Sequence, residues 1–358
     1  MKATQQLHDL GQSLWLDNIT RALLDRGTLR QYIDTLSVTG LTSNPTIFDN
    51  AIGSSGQYDE AIRKLAGEGV TGEALFYEIA LEDLTRAADM FMPEHERTSG
   101  ADGWVSLEVS PLLADDTAAS VAWAAHLHAR AQRPNLFIKL PGTAAGIAAV
   151  EEAIFRGIPV NVTLLFSADQ YLAAARAYLR GIERRIAAGL NPAVASVASV
   201  FVSRWDVSVH DKVAQHLRNR LGISVARQVY RSYRTLLASE RVRKLRAAGA
   251  GMQRLLWAST GVKDPLASDT LYVEALAAPG TINTMPEQTL QAFAAHGRVS
   301  GTMPQDGGDA DEMIAAFAGA GVNTAELAVR LQQEGAAAFA KSWHSLLARI
   351  AIASGGRP

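Results

Sequence analysis

Eight short, mostly apolar runs separated by helix-like stretches constrain this chain more than any other feature of its sequence. In order they are Leu14 to Asp17, Val38 to Pro45, Gly103 to Ser110, Phe137 to Gly142, Pro159 to Phe166, Ser196 to Ser203, Leu255 to Ser259 and Thr281 to Thr284. Strands apolar on both faces belong to parallel sheets with helices packed on each side. The spacing between them predicts helices over 20–36, 57–92, 115–132, 143–157 and 167–189, the last opened by the Ser167/Gln170 capping pattern. Two helical segments fill 206–249, and the remainder reads as helical to about Ser354, before a Gly-Gly-Arg-Pro tail. No linker-like run of Gly, Ser or Pro interrupts the alternation. The reading is therefore one α/β domain over residues 1–358, a (β/α)8 TIM barrel with extra terminal helices. The alternative is an open doubly wound sheet. That fold brings a glycine-rich phosphate turn after its first strand, where this chain has Asp17-Asn18-Ile19-Thr20, which argues against a dinucleotide site.

Charge and composition remove several other classes. The 34 basic and 36 acidic residues are spread evenly, so no electrostatic footprint marks a nucleic-acid or anionic-membrane partner. With no cysteine, disulfides, thiolate catalysis and Cys-ligated zinc are excluded, and the spacing of the eight histidines suggests no metal site. Met1 to His8 lacks the apolar core of a signal peptide, and the alanine-rich 117–131 stretch carries His126, His128 and Arg130. A cytoplasmic protein is expected, with monomer and homodimer both open.

In a barrel of this kind, reactive groups gather at the C-terminal ends of the strands. Those ends carry Asp17, Asn44, Glu108, Lys139, Asn161, Thr163, Ser199 and Ser259. Lys139 stands out because Phe137, Ile138 and Leu140 surround it. Desolvation disfavours an ammonium ion, and a lysine amine kept neutral attacks ketones to give a Schiff base. Its plainer reading is an edge-strand lysine with its stem on apolar surface and its head in water. Residues two apart share a strand face, which pairs Asn161 with Thr163, Ser106 with Glu108, and Ser199 with Phe201. Each also has a structural reading: caps or turns for Asp17 and Asn44, plain hydroxyls for Ser199 and Ser259, an ion pair for Glu108. Arg204 is either a partner for Asp206 or a clamp for a phosphate at the barrel mouth.

Leu16-Asp17, Thr42-Ser43-Asn44-Pro45-Thr46-Ile47-Phe48, Val105 to Val109, Ile138-Lys139-Leu140 and Val160 to Ser167 stand in the order of the transaldolase signature segments. Trp257 to Lys263 and Thr281 to Pro286 resemble the longer bacterial branch of that family, and the likeness runs from about residue 14 to 290. The resemblance implies a class I aldolase-type barrel that needs no cofactor and acts on phosphorylated sugars. A dihydroxyacetone unit would pass between sedoheptulose 7-phosphate/glyceraldehyde 3-phosphate and erythrose 4-phosphate/fructose 6-phosphate, in the non-oxidative pentose phosphate pathway. By the same resemblance Lys139 would form the Schiff base. Glu108 and Thr163 would handle protons through a water, and Asp17 would take the C4 hydroxyl proton. Asn44 and Asn161 would hold the dihydroxyacetone hydroxyls, Ser199 and Ser259 would line the site, and Arg204 would bind phosphate.

One departure concerns phosphate. Shorter relatives carry a second arginine where this chain has Gly261, and Lys263 is the nearby candidate for that charge, without an arginine's planar fork. The isomerase domain fused to some longer members is not expected in these 358 residues. Two other enzymes remain as alternatives: a fructose 6-phosphate aldolase of the same superfamily, and a barrel sugar-phosphate isomerase using Glu108 without an imine. A non-enzymatic sugar-phosphate binder would need a broken constellation. Aldolases of the superfamily carry glutamine at the Glu108 position and a tyrosine near Phe201.

Overall fold

The computed structural model describes residues 1–355, so the tail beyond Gly355 lies outside the described residues. Eight strands form: β1 (Ser13–Leu16), β2 (Val38–Leu41), β3 (Val105–Glu108), β4 (Leu136–Pro141), β5 (Val160–Leu165), β6 (Ser196–Phe201), β7 (Arg254–Ala258) and β8 (Ile282–Met285). They run parallel in the order β2-β1-β8-β7-β6-β5-β4-β3. The two ends of that strip meet at one parallel bridge, Gly40 to Trp104. There the Leu41 amide donates to the Trp104 carbonyl at 2.9 Å, and the Gly103 amide to that of Thr39 at 2.9 Å. The result is a (β/α)8 barrel.

Glycine is required at the seam. A Cβ on residue 40 would stand 2.7 Å from the Trp15 ring and 2.7 Å from the Trp104 carbonyl. Trp15 is fully buried and fills the barrel's lower end with Phe137, on which Trp104 stacks at 4.0 Å. Its indole N–H donates to Asp102 at 2.8 Å, so this buried polar group is satisfied. Higher up, β5 bulges: its register against β6 shifts after Val162, and Leu164 takes a φ of 59°. Bulges re-aim backbone groups beside active sites, and the Leu164 carbonyl turns here to meet the C-terminal helix.

Several helices differ from the sequence expectation, each for a local reason. The helix expected over 20–36 divides into Arg21–Asp25 and Thr28–Leu36, because Gly27 adopts φ 72° between them. The stretch 57–92 divides at Gly69 (φ 85°), and its second helix, Gly72–Arg97, continues through Pro93. Pro45 does not merely close a strand. It opens an unforeseen helix, Pro45–Ser54, at the first position, where proline lacks no needed hydrogen bond. After β8 the chain is not continuously helical: Glu287–His296, Ala310–Gly319 and Thr324–Ala353 are separated by loops containing Pro304, Gly307 and Gly308.

Thr324–Ala353 matters most for the site. Asn323 caps it, accepting from the amides of Ala325 and Glu326. Leu327, Leu331, Gly335, Phe339, Trp343, Leu346 and Ile350 form its buried stripe at helical spacing. Trp343 donates to Glu73 at 2.8 Å and meets Phe76 edge-on at 4.9 Å, while Arg349 reaches Asp49 at 2.7 Å. Burying a side chain such as Phe339 or Leu346 contributes about 1.5–3 kcal/mol. The half-exposed Arg349–Asp49 pair adds at most about 1 kcal/mol. Packing therefore sets where this helix lies. Gln332 fixes its height over the barrel by donating to the carbonyls of Gly142 and Leu164, both at 2.9 Å. Among the described residues no helix is long and apolar enough to cross a membrane.

Candidate active site

A cavity of about 700 Å³ opens at the C-terminal ends of the strands, beneath that last helix. Asp17, Asn44, Lys139, Ser199, Phe201, Arg204, Ser259 and Lys263 all face it. Glu108, Asn161 and Thr163 do not. They are buried in its wall, held there by strand register. Glu108 pairs with Lys139 across β3 and β4, and Lys139 with Asn161 across β4 and β5, so the three form one row.

Lys139 is almost wholly enclosed, its side chain 5% exposed and that of Glu108 6%. Its Nζ lies 3.3 Å from Glu108 Oε2 and donates to the Ser43 carbonyl at 3.1 Å. The carboxylate oxygen itself accepts no directed hydrogen bond, and neither does the buried Thr163 hydroxyl. Orphaned polar atoms are costly inside a protein, and these two leave donor and acceptor capacity free in the cavity wall. Burial pushes the Glu108 carboxyl above its ordinary range, with Lys139 pulling the other way. Asp17 is raised by the same cause, and both Lys139 and its hydrogen bond from Thr42 oppose the shift. Thr42 spends its proton on Asp17 Oδ1 at 2.7 Å and so accepts from Thr284 at 2.6 Å.

The remaining polar groups are tied in a defined way. Ser199 donates to Asn161 Oδ1 at 2.7 Å, and Asn161 donates to Ser106 at 3.1 Å, leaving one amide proton uncommitted. Asn44 is the N-cap of Pro45–Ser54, its carbonyl oxygen accepting from Ile47 at 3.0 Å, while its NH2 remains available to the cavity. Ser259 holds a left-handed φ of 56° and shares a 2.9 Å hydrogen bond with Ser203.

Arg204 does not pair with Asp206. That carboxylate accepts instead from the amides of Leu221 and Gly222 and from the Tyr272 hydroxyl. Among the described residues Arg204 has no ion-pair partner and no hydrogen-bond acceptor. Its guanidinium lies 5.0 Å from the Phe201 ring centre and 5.8 Å from that of Phe339. Burial lowers its pKa, and the charges of Glu108 and Glu334 oppose that. A desolvated fork aimed into a cavity is suited to an anion such as phosphate. Lys263 lines the same cavity, and a Cβ built on Gly261 would lie 3.8 Å from its Nζ.

Sequence reasoning missed the last helix's contribution of Leu331, Glu334 and Phe339 to the cavity. The available signal was Gly335 in an otherwise bulky stripe. A Cβ there would stand 2.9 Å from Leu164 and 3.0 Å from Arg204.

Residues 14–350 match the family model described as Transaldolase/Fructose-6-phosphate aldolase. Transaldolase 1 of Streptomyces coelicolor is 45% identical over 97% of this chain and 94% of its own length. The transaldolases of Parafrankia sp. and Thermobifida fusca are each 44% identical, the first over 98% of this chain and 97% of itself, the second over 97% of both. Likeness at this level across nearly every residue, on a barrel with a buried lysine at its mouth, makes the chain a member of the transaldolase family and a transaldolase enzyme.

Proposed function

We propose that Lys139 carries a dihydroxyacetone unit as a Schiff base, moving it between sedoheptulose 7-phosphate/glyceraldehyde 3-phosphate and erythrose 4-phosphate/fructose 6-phosphate. The observation that carries this reading is the enclosed Lys139–Glu108 pair at 3.3 Å, at the foot of a cavity that also presents Asp17 and an unpaired Arg204. The Lys139 amine adds to C2 of the ketose. Glu108 and Thr163 pass the protons that let the carbinolamine lose water, and the resulting iminium is the electron sink. Asp17 takes the C4 hydroxyl proton as the C3–C4 bond breaks and the aldose leaves. The enamine then attacks the acceptor aldehyde, and the steps reverse. Asn44 and Asn161 hold the three-carbon unit, with Ser199 orienting Asn161. The whole chain works as one unit, since its final helix completes the cavity. Sugar phosphates of the cytoplasm are the expected substrates.

Transfer, rather than release of the unit, is tested by acceptor dependence. With fructose 6-phosphate alone, little free dihydroxyacetone is expected. Adding erythrose 4-phosphate should give rapid sedoheptulose 7-phosphate formation. Equal cleavage rates with and without acceptor would assign the aldolase activity instead.

Arg204, with Lys263 as a second point charge and Ser259 in the same cavity, is proposed to bind the remote phosphate. That binding energy positions the reacting carbons. Arg204→Ala should lower kcat/KM on fructose 6-phosphate by roughly 100-fold, the scale of a lost charge-assisted hydrogen-bond pair, and on unphosphorylated fructose by less than about threefold. Equal losses on both ketoses would make Arg204 a structural residue.

A further inference from the structure

The last helix supplies one wall of the cavity. Phe339, 4% exposed, comes from the last helix and faces two spaces at once. On one side is the main cavity. On the other is a small hollow bounded by Glu108, Val109, Pro111, Pro141 and Leu164. The Phe339 ring centre lies 6.0 Å from Lys139 Nζ and 5.8 Å from Arg204 Cζ. It is therefore the apolar surface beside the amine and its carboxylate. Phe201, whose ring centre is 5.0 Å from Arg204 Cζ, packs on Phe166 at 5.3 Å. Two aromatic rings thus lie near the guanidinium, and one of them also lies near the amine.

We propose that Phe339 is a specificity-determining residue that decides whether the three-carbon intermediate goes to an acceptor aldehyde or to water. The inference rests on the imine at Lys139. The competing path requires a proton at one carbon and a water molecule at the next. A proton added at C3 turns the enamine back into an iminium. Water then adds to C2, forming a C–O bond, and the C2–N bond breaks to release dihydroxyacetone and the free lysine amine. Protonation at C3 and water addition at C2 both occur on the carbons that the Lys139 nitrogen would carry, near the Phe339 ring and the Glu108 carboxylate that would deliver the protons. An apolar ring there supplies no hydrogen bond to hold water in line. Because the same ring packs against Arg204, a bound phosphate and an excluded solvent are read by one side chain. The aldehyde acceptor enters through the open cavity side, which Phe339 leaves free.

The test measures a ratio, so a general loss of activity does not imitate it. Wild type, Phe339→Leu, Phe339→Ala and Arg349→Ala are compared with fructose 6-phosphate and graded erythrose 4-phosphate, scoring free dihydroxyacetone against sedoheptulose 7-phosphate. Arg349→Ala removes an ion pair with Asp49 from the same helix, away from the cavity, and controls for substitution elsewhere on that helix. The release-to-transfer ratio should rise roughly tenfold in Phe339→Ala, less in Phe339→Leu, and stay at the wild-type value in Arg349→Ala. If the alanine variant fails to fold, the leucine variant, which keeps an apolar plug, carries the comparison. An unchanged ratio in a folded Phe339 variant, or an equal rise in Arg349→Ala, overturns the proposal while leaving the imine reading intact. Failure of borohydride to trap a three-carbon adduct on wild type overturns both.

Discussion

Replacing Lys139 with arginine should lower kcat by roughly 10⁴-fold or more, the scale on which removal of a covalent nucleophile acts. A guanidinium stays protonated and cannot attack a ketone, yet it keeps a positive charge opposite Glu108. Loss of activity in this variant therefore reports chemistry rather than an unpaired carboxylate. Borohydride reduction of wild type with fructose 6-phosphate should add one three-carbon unit at Lys139, read by peptide mapping, and none to the variant. Labelling at a different lysine sinks the assignment. Lys139→Met should behave differently from the arginine variant. It removes the cation that pulls the Glu108 and Asp17 carboxyls down, so both should titrate higher still. Stripping one partner from a buried pair typically costs about 3–5 kcal/mol, which a thermal melt of Lys139→Met would register.

Asp17→Asn should separate imine formation from carbon–carbon cleavage. Asparagine can still accept from Thr42 but cannot take a proton from the C4 hydroxyl, so kcat should fall by roughly 10²–10⁴-fold, the contribution of a general base. The six-carbon Schiff base should accumulate, and borohydride should trap a hexitol phosphate in place of the three-carbon adduct. A pH profile gives an independent check. The base works when ionised, and burial raises its pKa above the ordinary carboxylate range. Wild-type activity should therefore fall, as pH is lowered, earlier than an exposed aspartate would allow. If Asp17→Asn yields the same three-carbon adduct at an undiminished rate, the base lies elsewhere.

The barrel and much of its mouth were legible because short buried strands leave a strong trace. Apolar runs give the strands, and alternation along them puts Ser199 and Phe201, or Asn161 and Thr163, on one face whatever surrounds them. The row Glu108–Lys139–Asn161 needed more, since cross-strand register is set by helix lengths and packing. Asn44 shows how one residue satisfies two readings, capping a helix with its oxygen while turning its NH2 to the cavity. Helix breaks at Gly27 and Gly69 were misread because an isolated glycine is tolerated inside many helices, and only its φ decides. The last helix was least legible. A stripe from Leu327 to Ile350 says that this face is buried, but nothing local says that it is buried over Lys139. Such placement comes from contacts far along the chain, Trp343 with Glu73 and Gln332 with Leu164.

The seam between β2 and β3 gives the barrel an intermittent latch. Its edges touch through one bridge at Gly40, but above that point Ser43 donates to the Ser106 carbonyl, and Lys139 reaches past β3 to the Ser43 carbonyl. The amine thus helps to clasp the two ends of the strip in the resting protein. An ammonium has three hydrogens to share, and an iminium nitrogen keeps one. On the proposed imine at Lys139, each captured sugar would weaken the clasp at Ser43, and each release of product would restore it. The seam closed by that single bridge would then be held by one contact more in the resting protein than in the sugar-bound one.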